Sequence, residues 1–286
     1  MDKKHTGRPS ERGDRKSEIK KSIRSDPIQS IRRRSDDSST LHRAMTSDLG
    51  YKAWKATKVQ FLSDNHVNRV ECCRQILAKY DNNVRRDRLF FSDECALYCE
   101  GRGQVTGLCF WSKQNPHFYK QIRQHPPKVM VWAAVSGRHL IGPFFLTGGI
   151  NQDTYIRMLR EEFVPALQVR GILQSAHFQQ DGAPAHTAFA TREFLNATFQ
   201  DRCVGKYGPS PWHARSPDLT SCDNALWGII KSKLNARKFR NADELKEAVR
   251  QEFSQISLEM LNNINKRTFS RFHKCIEVKG LQVESY

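Results

Sequence analysis

Three aspartates stand where a carboxylate can bind a metal ion or take part in proton chemistry. Asp181 follows the short strand-like stretch AHFQQ and precedes Gly-Ala-Pro, which forces a turn because a residue before proline is excluded from the helical region. Asp93 lies within the strand-like run RLFFSDECALYCE, and Asp223 opens the helical stripe of NALWGIIKSKL. Open α/β sheets place ligands beyond the carboxyl ends of their strands. Any one of these acids is also explained as a turn residue or a helix-terminal acid, so the set of three carries the argument.

Three carboxylates facing one cavity repel each other unless cations hold them together. Hard oxygen ligands select Mg²⁺ or Mn²⁺ over zinc. Two such ions, about 3.5 to 4 Å apart, can activate a water or a 3′-hydroxyl for in-line attack at a phosphodiester. We therefore predict that Asp93, Asp181 and Asp223 form the catalytic, metal-binding site of a nuclease or strand-transfer enzyme. Asp218 is an alternative third acid, since it lies close to Asp223 in the sequence.

Several residues near these acids have two interpretations. His186 either assists the acids or caps the helix that follows it, and Glu94 is expected on the opposite face of its strand from Asp93. Trp132 and Trp227 are predicted to be core residues rather than base-stacking platforms. Basic residues after Trp227 either follow phosphates or form a solvated helix face: Lys231, Lys233, Arg237, Lys238 and Arg240.

Composition points to a polyanionic partner. The 286 residues carry a formal charge of +17, and 38% of them are apolar, which is low for a chain packed throughout. Nucleic acid is the leading partner class, because each phosphate neutralised by Lys or Arg releases counterions, and an acidic membrane surface is the lesser one. No apolar run is long enough to span a membrane, and no secretory signal is present, so we expect an intracellular protein with its eight cysteines reduced. Cys95 and Cys99 lack a second pair at zinc-finger spacing, which favours buried thiols over a zinc site.

The order of the predicted elements indicates an α/β fold. Strands are predicted in the runs RLFFSDECALYCE, GLCFWS, KVMVWAAVS, IGPFFLT, AHFQQD and CVG. The run KVMVWAAVS is apolar from Val129 to Val135 and predicts a strand buried on both faces, whereas Pro143 in IGPFFLT marks an edge or a bulge. Helices are predicted from Tyr155 to Gly171, from Thr187 to Phe199, after Asp223 and twice in the last fifty residues. Antiparallel strands followed by alternating helices and strands predict a mixed sheet flanked by helices.

The first 60 residues are the most basic part of the chain, with 16 Lys or Arg against 8 Asp or Glu. Two short helical patterns occur there, one around Ile19 and Ile23 and one around Leu41 and Met45. A helix-turn-helix at this place would present basic residues to DNA: Arg32, Arg33, Arg34, His42 and Arg43. The stretch between the two patterns has no glycine or apolar residue, so a disordered basic segment is the alternative.

The motifs FSDE, KVMVWAAVS, IGPFF, FQQDGAPAH, SPDL and LWG-II-K-KL follow one another in this order. In that combination the chain resembles the mariner superfamily of cut-and-paste DNA transposases, from about Arg85 to the C-terminus. The resemblance implies a ribonuclease H-like fold in which the metal-binding acids fall on Asp93, Asp181 and Asp223, with Mg²⁺ or Mn²⁺ as cofactor. It also implies double-stranded DNA of transposon terminal inverted repeats as partner, a homodimer, and a nuclear location.

Upstream, GRP, IKKSIRSDPIQSIRR and SSTLHR resemble the linker and second helix-turn-helix of that family. The chain starts at this linker, so the resemblance implies a partial DNA-binding region. SCDNALWG departs from the family's usual third motif, and 41 residues separate Asp181 from Asp223, as in a longer-spaced branch that ends in Asp. The resulting domain prediction is a DNA-binding segment at 1–50, a helical connector at 51–84 and a catalytic domain at 85–286. The alternative function is a non-catalytic DNA-binding protein derived from a transposase, or an inactive relic.

Overall fold

A computed structural model describes residues 12–25, 38–51, 62, 66–99, 127–213, 215–234 and 237–283. The chain divides into two compact units, Met1–Lys58 and Val59–Tyr286. Arg32, Arg33 and Arg34, the predicted strand GLCFWS and the start of the predicted connector helix lie outside the described residues. The prediction of three domains with boundaries at 50 and 84 stays a prediction.

One mixed sheet forms the centre of the second unit, and it confirms the predicted fold class. Its strands among the described residues are β1 (Leu89–Tyr98), β2 (Lys128–Val135), β3 (Leu140–Leu146), β4 (His177–Gln179), β5 (Cys203–Gly205) and β6 (Ser210–Pro211). They lie in the order β3-β2-β1-β4-β5-β6. The first three strands are antiparallel, whereas β4, β5 and β6 continue the sheet parallel to β1.

Helices cover both faces of this sheet. The helices of the described residues are α1 (Arg12–Ser25), α2 (Ser38–Arg43), α3 (Val67–Lys79), α4 (Asn83–Arg86), α5 (Gln152–Met158), α6 (Val164–Val169), α7 (Pro184–Thr187), α8 (Phe189–Phe199), α9 (Trp227–Leu234), α10 (Ala242–Ser254) and α11 (Leu258–Glu277). Wider π-helical turns at Ala44–Asp48, Leu159–Phe163 and Cys222–Leu226 extend α2, join α5 to α6 and lead into α9.

The side chains of β1 alternate between two apolar cores. Phe91 and Leu97 face a core that contains Trp227 and residues of α9, α10 and α11. Phe90 faces the other core, with Trp132 and Phe178. This alternation follows from the two-residue period of a strand, and it sends consecutive residues of β1 to opposite faces.

The predictions for β2 and β3 are confirmed. Val131 to Val135 of β2 are fully buried, as a continuous apolar run requires. Strand β3 lies at the edge of the sheet, and its pairing with β2 shifts register between Trp132 and Ala134. Pro143 follows Gly142, whose φ of +103° is a conformation that side chains rarely adopt. A proline in a strand is tolerated at such an edge or bulge because the ladder loses no interior hydrogen bond there.

One predicted helix boundary is wrong. The helix predicted to start at Thr187 starts at Phe189 instead. Thr187 is the last residue of α7, and Ala188, between the two helices, adopts an extended conformation with ψ of 150°. The sequence ATREF that follows is helical, so α8 begins at Phe189. The break leaves the first turn of α8 without a side-chain cap.

Within the second unit, helix α3 is attached to its neighbours by a buried ion pair. Arg69 of α3 donates from Nη2 to Asp218 Oδ2 at 2.5 Å, and both side chains are fully buried. Asp218 Oδ2 also accepts the backbone N–H of Val283. The carboxylate therefore joins α3 to the C-terminal segment.

In the first unit, α1 and α2 bury Ile19 and Leu41, as predicted. Helix α2 begins at Ser38, so the sequence SST forms its first turn. His42 and Arg43 are exposed in its last turn.

Candidate metal-binding active site

Strand register places Asp93 and Asp181 at the same level of the sheet. Phe91 of β1 is the partner of Gln179 in the parallel strand β4. Asp93 lies two residues after Phe91, and Asp181 lies two residues after Gln179. Asp223 comes to the same face as Asp93 from the π-helical turn before α9. That turn is anchored by Cys222, whose thiol donates to the carbonyl of Phe91 at 3.2 Å.

Asp93 and Asp223 form a close carboxylate pair. Their side chains lie near enough to share a hydrogen bond. Burial, followed by the negative charges of Asp223 and Glu94, raises the pKa of Asp93 to about 8. Burial raises the pKa of Asp223 as well, against the lowering effect of the Thr220 hydroxyl, which donates to its Oδ2 at 2.7 Å. Ionising both carboxylates at such short range is unfavourable because the two negative charges repel each other. The pair therefore retains a proton or requires a cation.

Trp227 has a second role besides filling the core. It is almost completely buried, and its indole Nε1–H donates to Asp93 Oδ2 at 2.8 Å. This hydrogen bond favours the charged form of Asp93 and opposes the rise in its pKa. The indole therefore fixes the direction of one carboxylate oxygen.

His186 links Asp181 to Glu94. Its Nδ1 lies 2.5 Å from Asp181 Oδ1, and its Nε2 lies 3.2 Å from Glu94 Oε1. Burial lowers the pKa of His186, but the hydrogen bonds and charges of the two carboxylates outweigh burial and raise the pKa to about 9. An imidazolium donates from both ring nitrogens, which fits this pair of acceptors. The side chain makes these links and does not cap a helix, which decides between the two interpretations of His186.

The pKa of Asp181 is lowered by the same contact. Burial acts to raise it, but the hydrogen bond and charge of His186, together with the backbone N–H of Ala183 at 2.9 Å, hold it below its ordinary value. Asp181 is therefore ionised near neutral pH, and its side chain is half exposed. Glu94 lies on the opposite face of β1 from Asp93, as predicted, and it reaches Asp181 through the imidazole.

A buried polar layer holds the histidine in place. The ring of Tyr155 lies 4.2 Å from the His186 ring, and its hydroxyl donates to Gln180 Oε1 at 2.9 Å. Gln180 in turn donates from Nε2 to the backbone carbonyl of His186. Tyr155 and Gln180 thus fix both the ring and the backbone of His186.

The three aspartates fit a hard divalent cation by their chemistry. They supply carboxylate oxygens, and the pKa of Asp93 and of Asp223 is raised, first by burial and then by neighbouring carboxylates, which are effects that a bound cation would oppose. Among the described residues, no three acidic, histidine or cysteine side chains are already arranged closely enough to enclose an ion.

The other predicted site residues separate clearly. Asp218 is committed to the buried ion pair with Arg69, which removes it as the alternative third acid. Lys231 is exposed on α9, yet its charge lowers the pKa of Asp223, so it faces the acids. Cys95 and Cys99 are buried.

Sequence reasoning missed the hydrogen-bonding partners of the acids. It assigns Trp227 to the core alone, and it gives Thr220 and Tyr155 no role. The spacing of Thr220 and Asp223, three residues apart at a helix start, is the one local signal that could have found a partner. Tyr155 is far from His186 in sequence and gives no signal.

A six-stranded mixed sheet in this order, with helices on both faces, is the ribonuclease H-like fold. Comparison with solved structures finds Mos1 transposase among the matches. A Mos1 transposase paired-end complex with the left transposon end matches with a TM-score of 0.82 at 20% identity, covering 99% of this chain and 83% of that one. The Mos1 strand transfer complex matches with a TM-score of 0.81 over the same shares of the two chains, also at 20% identity.

The catalytic domain of Mos1 mariner transposase, solved alone, matches with a TM-score of 0.62 at 22% identity, covering 80% of this chain and all of that one. No protein-family model and no curated protein matches the chain. The chain therefore has the fold of the Mos1 mariner transposase. No helix within the described ranges has the length and apolarity to cross a membrane.

Proposed function

We propose that this protein is a mariner-type DNA transposase that cleaves and rejoins phosphodiesters at transposon ends. The observation that carries the proposal is the position of Asp93, Asp181 and Asp223, which lie near the paired inner strands β1 and β4 of a ribonuclease H-like sheet. Fold similarity alone does not define an activity, so the proposal depends on these acids. Their sequence motifs, FSDE, FQQDGAPAH and SCDNALWG, agree with it.

The cofactor proposed is Mg²⁺ or Mn²⁺, held by the same three aspartates. Mos1 structures have been solved with Mn and with Mg. Such ions lower the pKa of a bound water and stabilise the charge that develops on the scissile phosphate. Around them, the indole N–H of Trp227 orients Asp93, and the imidazolium of His186 keeps Asp181 ionised.

The proposed partner is double-stranded DNA carrying the terminal inverted repeats of a transposon, bound by a homodimer in the nucleus. Mos1 has been solved with a transposon end, and the charge of +17 on this chain favours a nucleic acid. His42 and Arg43 of α2 are exposed, as DNA contacts require, and Arg32, Arg33 and Arg34 complete the proposed DNA-binding set.

A plasmid nicking assay tests the activity. The protein is expected to relax supercoiled DNA when Mg²⁺ or Mn²⁺ is present, and to be inactive with a chelator. Asp93→Ala, Asp181→Asn and Asp223→Asn should each reduce nicking to background while duplex binding is kept, because each removes a carboxylate and leaves the cationic surface unchanged. Asp153→Asn, an exposed acid at the start of α5, is the matched control and should nick as the unaltered protein does.

Three results would count against this function. If the unaltered protein binds duplex DNA and never nicks it with either metal, the chain is the non-catalytic DNA-binding protein. If Asp181→Asn nicks normally, another group performs the chemistry. Insoluble or unfolded protein would identify an inactive relic.

A further inference from the structure

Two exposed aromatic side chains lie on the β4 and β5 side of the sheet. Phe189 is 67% exposed at the start of α8, and Tyr207 is 56% exposed just after β5. Large aromatic residues are seldom left in water without a partner that covers them. We call Phe189, Arg192, Lys206 and Tyr207 together the aromatic ledge.

The ledge is level with the acids. Gln179 of β4 is the partner of Val204 in β5, so Asp181 and Lys206 each lie two residues beyond a paired position. One cavity is lined both by His186, which contacts Asp181, and by Arg192, Lys206 and Tyr207 of the ledge. A strand of DNA with its phosphodiester at Asp181 could therefore continue over the ledge.

The cations of the ledge have aromatic neighbours and no acidic ones. The Arg192 guanidinium lies 4.9 Å from the centroid of the Tyr207 ring and 5.7 Å from that of Phe189. Lys206 Nζ lies 5.1 Å from the Tyr207 centroid. Within the part of the chain that the structure describes, neither cation forms an ion pair, and Arg192 Nε is buried without a hydrogen-bond partner.

Two other cations stacked on rings in the described residues have acidic partners, and the remaining ones, Lys79, Arg86, Arg160 and Arg202, stack on rings that are not exposed. Arg250 lies 4.9 Å from the Phe145 centroid and is paired with Glu247 at 3.1 Å. Arg237 lies 5.2 Å from the Phe239 centroid and is paired with Glu252. The ledge thus combines exposed rings with uncompensated positive charge, which is the combination that binds unpaired nucleotides.

We propose that the aromatic ledge binds an unpaired base, and the phosphate next to it, in the DNA strand that leaves the acidic site. Phe189 and Tyr207 supply stacking surfaces, and Arg192 and Lys206 supply the charge for the phosphate. This proposal rests on the proposed function, because it places the cleaved strand at Asp181. It adds that the strand is held single-stranded beside the cut.

Binding measured by fluorescence anisotropy in chelator tests the ledge without any cleavage. The probes are a labelled oligothymidine and a labelled duplex of mixed sequence. Phe189→Ala/Tyr207→Ala should weaken oligothymidine binding on the order of tenfold or more, while duplex affinity stays the same. Phe145→Ala/Arg250→Ala, which removes a stacked ring and cation elsewhere, should leave both affinities unchanged.

Two further variants separate stacking from charge. Tyr207→Trp keeps a ring and should bind oligothymidine as the unaltered protein does. Arg192→Gln should reduce the slope of log affinity against log salt by roughly 0.7, the value for one phosphate of a single strand. Thermal unfolding of every variant identifies any that fails to fold, and the single variants Phe189→Ala and Tyr207→Ala then replace the double one.

Equal losses of affinity for oligothymidine and duplex would overturn the proposal, since they indicate a general cationic surface. Unchanged oligothymidine binding in the double variant would overturn it as well. Failure of the catalytic proposal is a different result. It would be unaltered protein that never nicks DNA, whereas the ledge is tested by binding alone, and even Asp93→Ala is expected to bind oligothymidine through it.

Discussion

Asp93 has the most strongly displaced carboxyl pKa near the site, and its titration affects stability. Its pKa is 3.8 in an unfolded chain and about 8 in the folded protein, because of burial and of the charges of Asp223 and Glu94. An acid whose folded pKa is raised binds a proton more tightly in the folded state. Stability is therefore lost as pH rises from 3.8, and the loss is complete above about 8.

Asp93→Asn is expected to remove this loss. Without metal, the variant should match the unaltered protein below pH 3.8 and become progressively more stable than it up to about pH 8. Urea unfolding in chelator across this range measures the difference. Asp153→Asn, at an exposed position, should show no such trend. Stability curves for Asp93→Asn and the unaltered protein that run parallel in pH would contradict the raised pKa.

Metal binding should oppose the same protonation. Because a divalent ion and a proton compete for Asp93, added Mg²⁺ or Mn²⁺ is expected to raise the melting temperature more above pH 8 than below it. Differential scanning fluorimetry with and without metal measures the shift. In Asp223→Asn the shift should largely disappear. An equal shift in that variant would show that the ion binds elsewhere.

His186 gives a pH dependence of the same sign, in a higher pH range. Its pKa is raised from 6.5 to about 9, against the lowering effect of burial, by its contacts with Asp181 and Glu94. The stability from these contacts is fully present below 6.5 and is lost as pH rises through about 9. His186→Gln in metal-free buffer should therefore be destabilised most below pH 6.5, and least above 9. Urea unfolding measures this, and a destabilisation that grows with pH would contradict it.

Among the elements, α3 is attached to the Asp218 turn by a buried ion pair. The Arg69 and Asp218 side chains are both fully buried. Removing one member of such a pair leaves the other charge buried without a partner, which costs about 3 to 5 kcal/mol. We expect Arg69→Met and Asp218→Leu each to lose about that much stability.

The double variant Arg69→Met/Asp218→Leu tests the origin of that loss. It should be far less destabilised than the two single variants combined, since no charge is left unpaired in the interior. Chemical denaturation of the four proteins completes the cycle. Additive destabilisation would show that packing, rather than the uncompensated charge, determines the cost.

Elements with a strong local pattern are predictable from the sequence, and interactions between distant elements are not. Strand β2 is predicted because its residues from Val129 to Val135 are all apolar, and Pro143 identifies β3 as an edge strand. The two-residue strand β6 lies in a proline-rich loop and exists only through its pairing with β5, so no local pattern marks it.

The same distinction applies to the site. The three aspartates are predicted from turn and motif signals near each of them. The indole of Trp227, by contrast, reaches Asp93 only because α9 packs across β1. A sequence period reports which face of a helix is buried and not which polar atom it meets.

At the scale of the whole molecule, the positive charge is unevenly divided between the two units. Met1–Lys58 holds 16 Lys or Arg and 8 Asp or Glu, so it carries +8 of the total +17 in about a fifth of the length. The acids of the candidate site all belong to the other unit, Val59–Tyr286. Phosphate binding and chemistry are thus expected to be separable by truncation.

A protein of residues 59–286 should still nick plasmid DNA with Mg²⁺ or Mn²⁺, because it keeps Asp93, Asp181 and Asp223 and the sheet that positions them. Its affinity for duplex DNA should fall, and the slope of log affinity against log salt should become shallower by about 0.9 for each phosphate that the shorter protein no longer neutralises. Anisotropy titrations at several salt concentrations measure both quantities. If the two proteins have the same slope, the basic residues of Met1–Lys58 do not bind phosphates, and the DNA is held by the cations of the second unit alone.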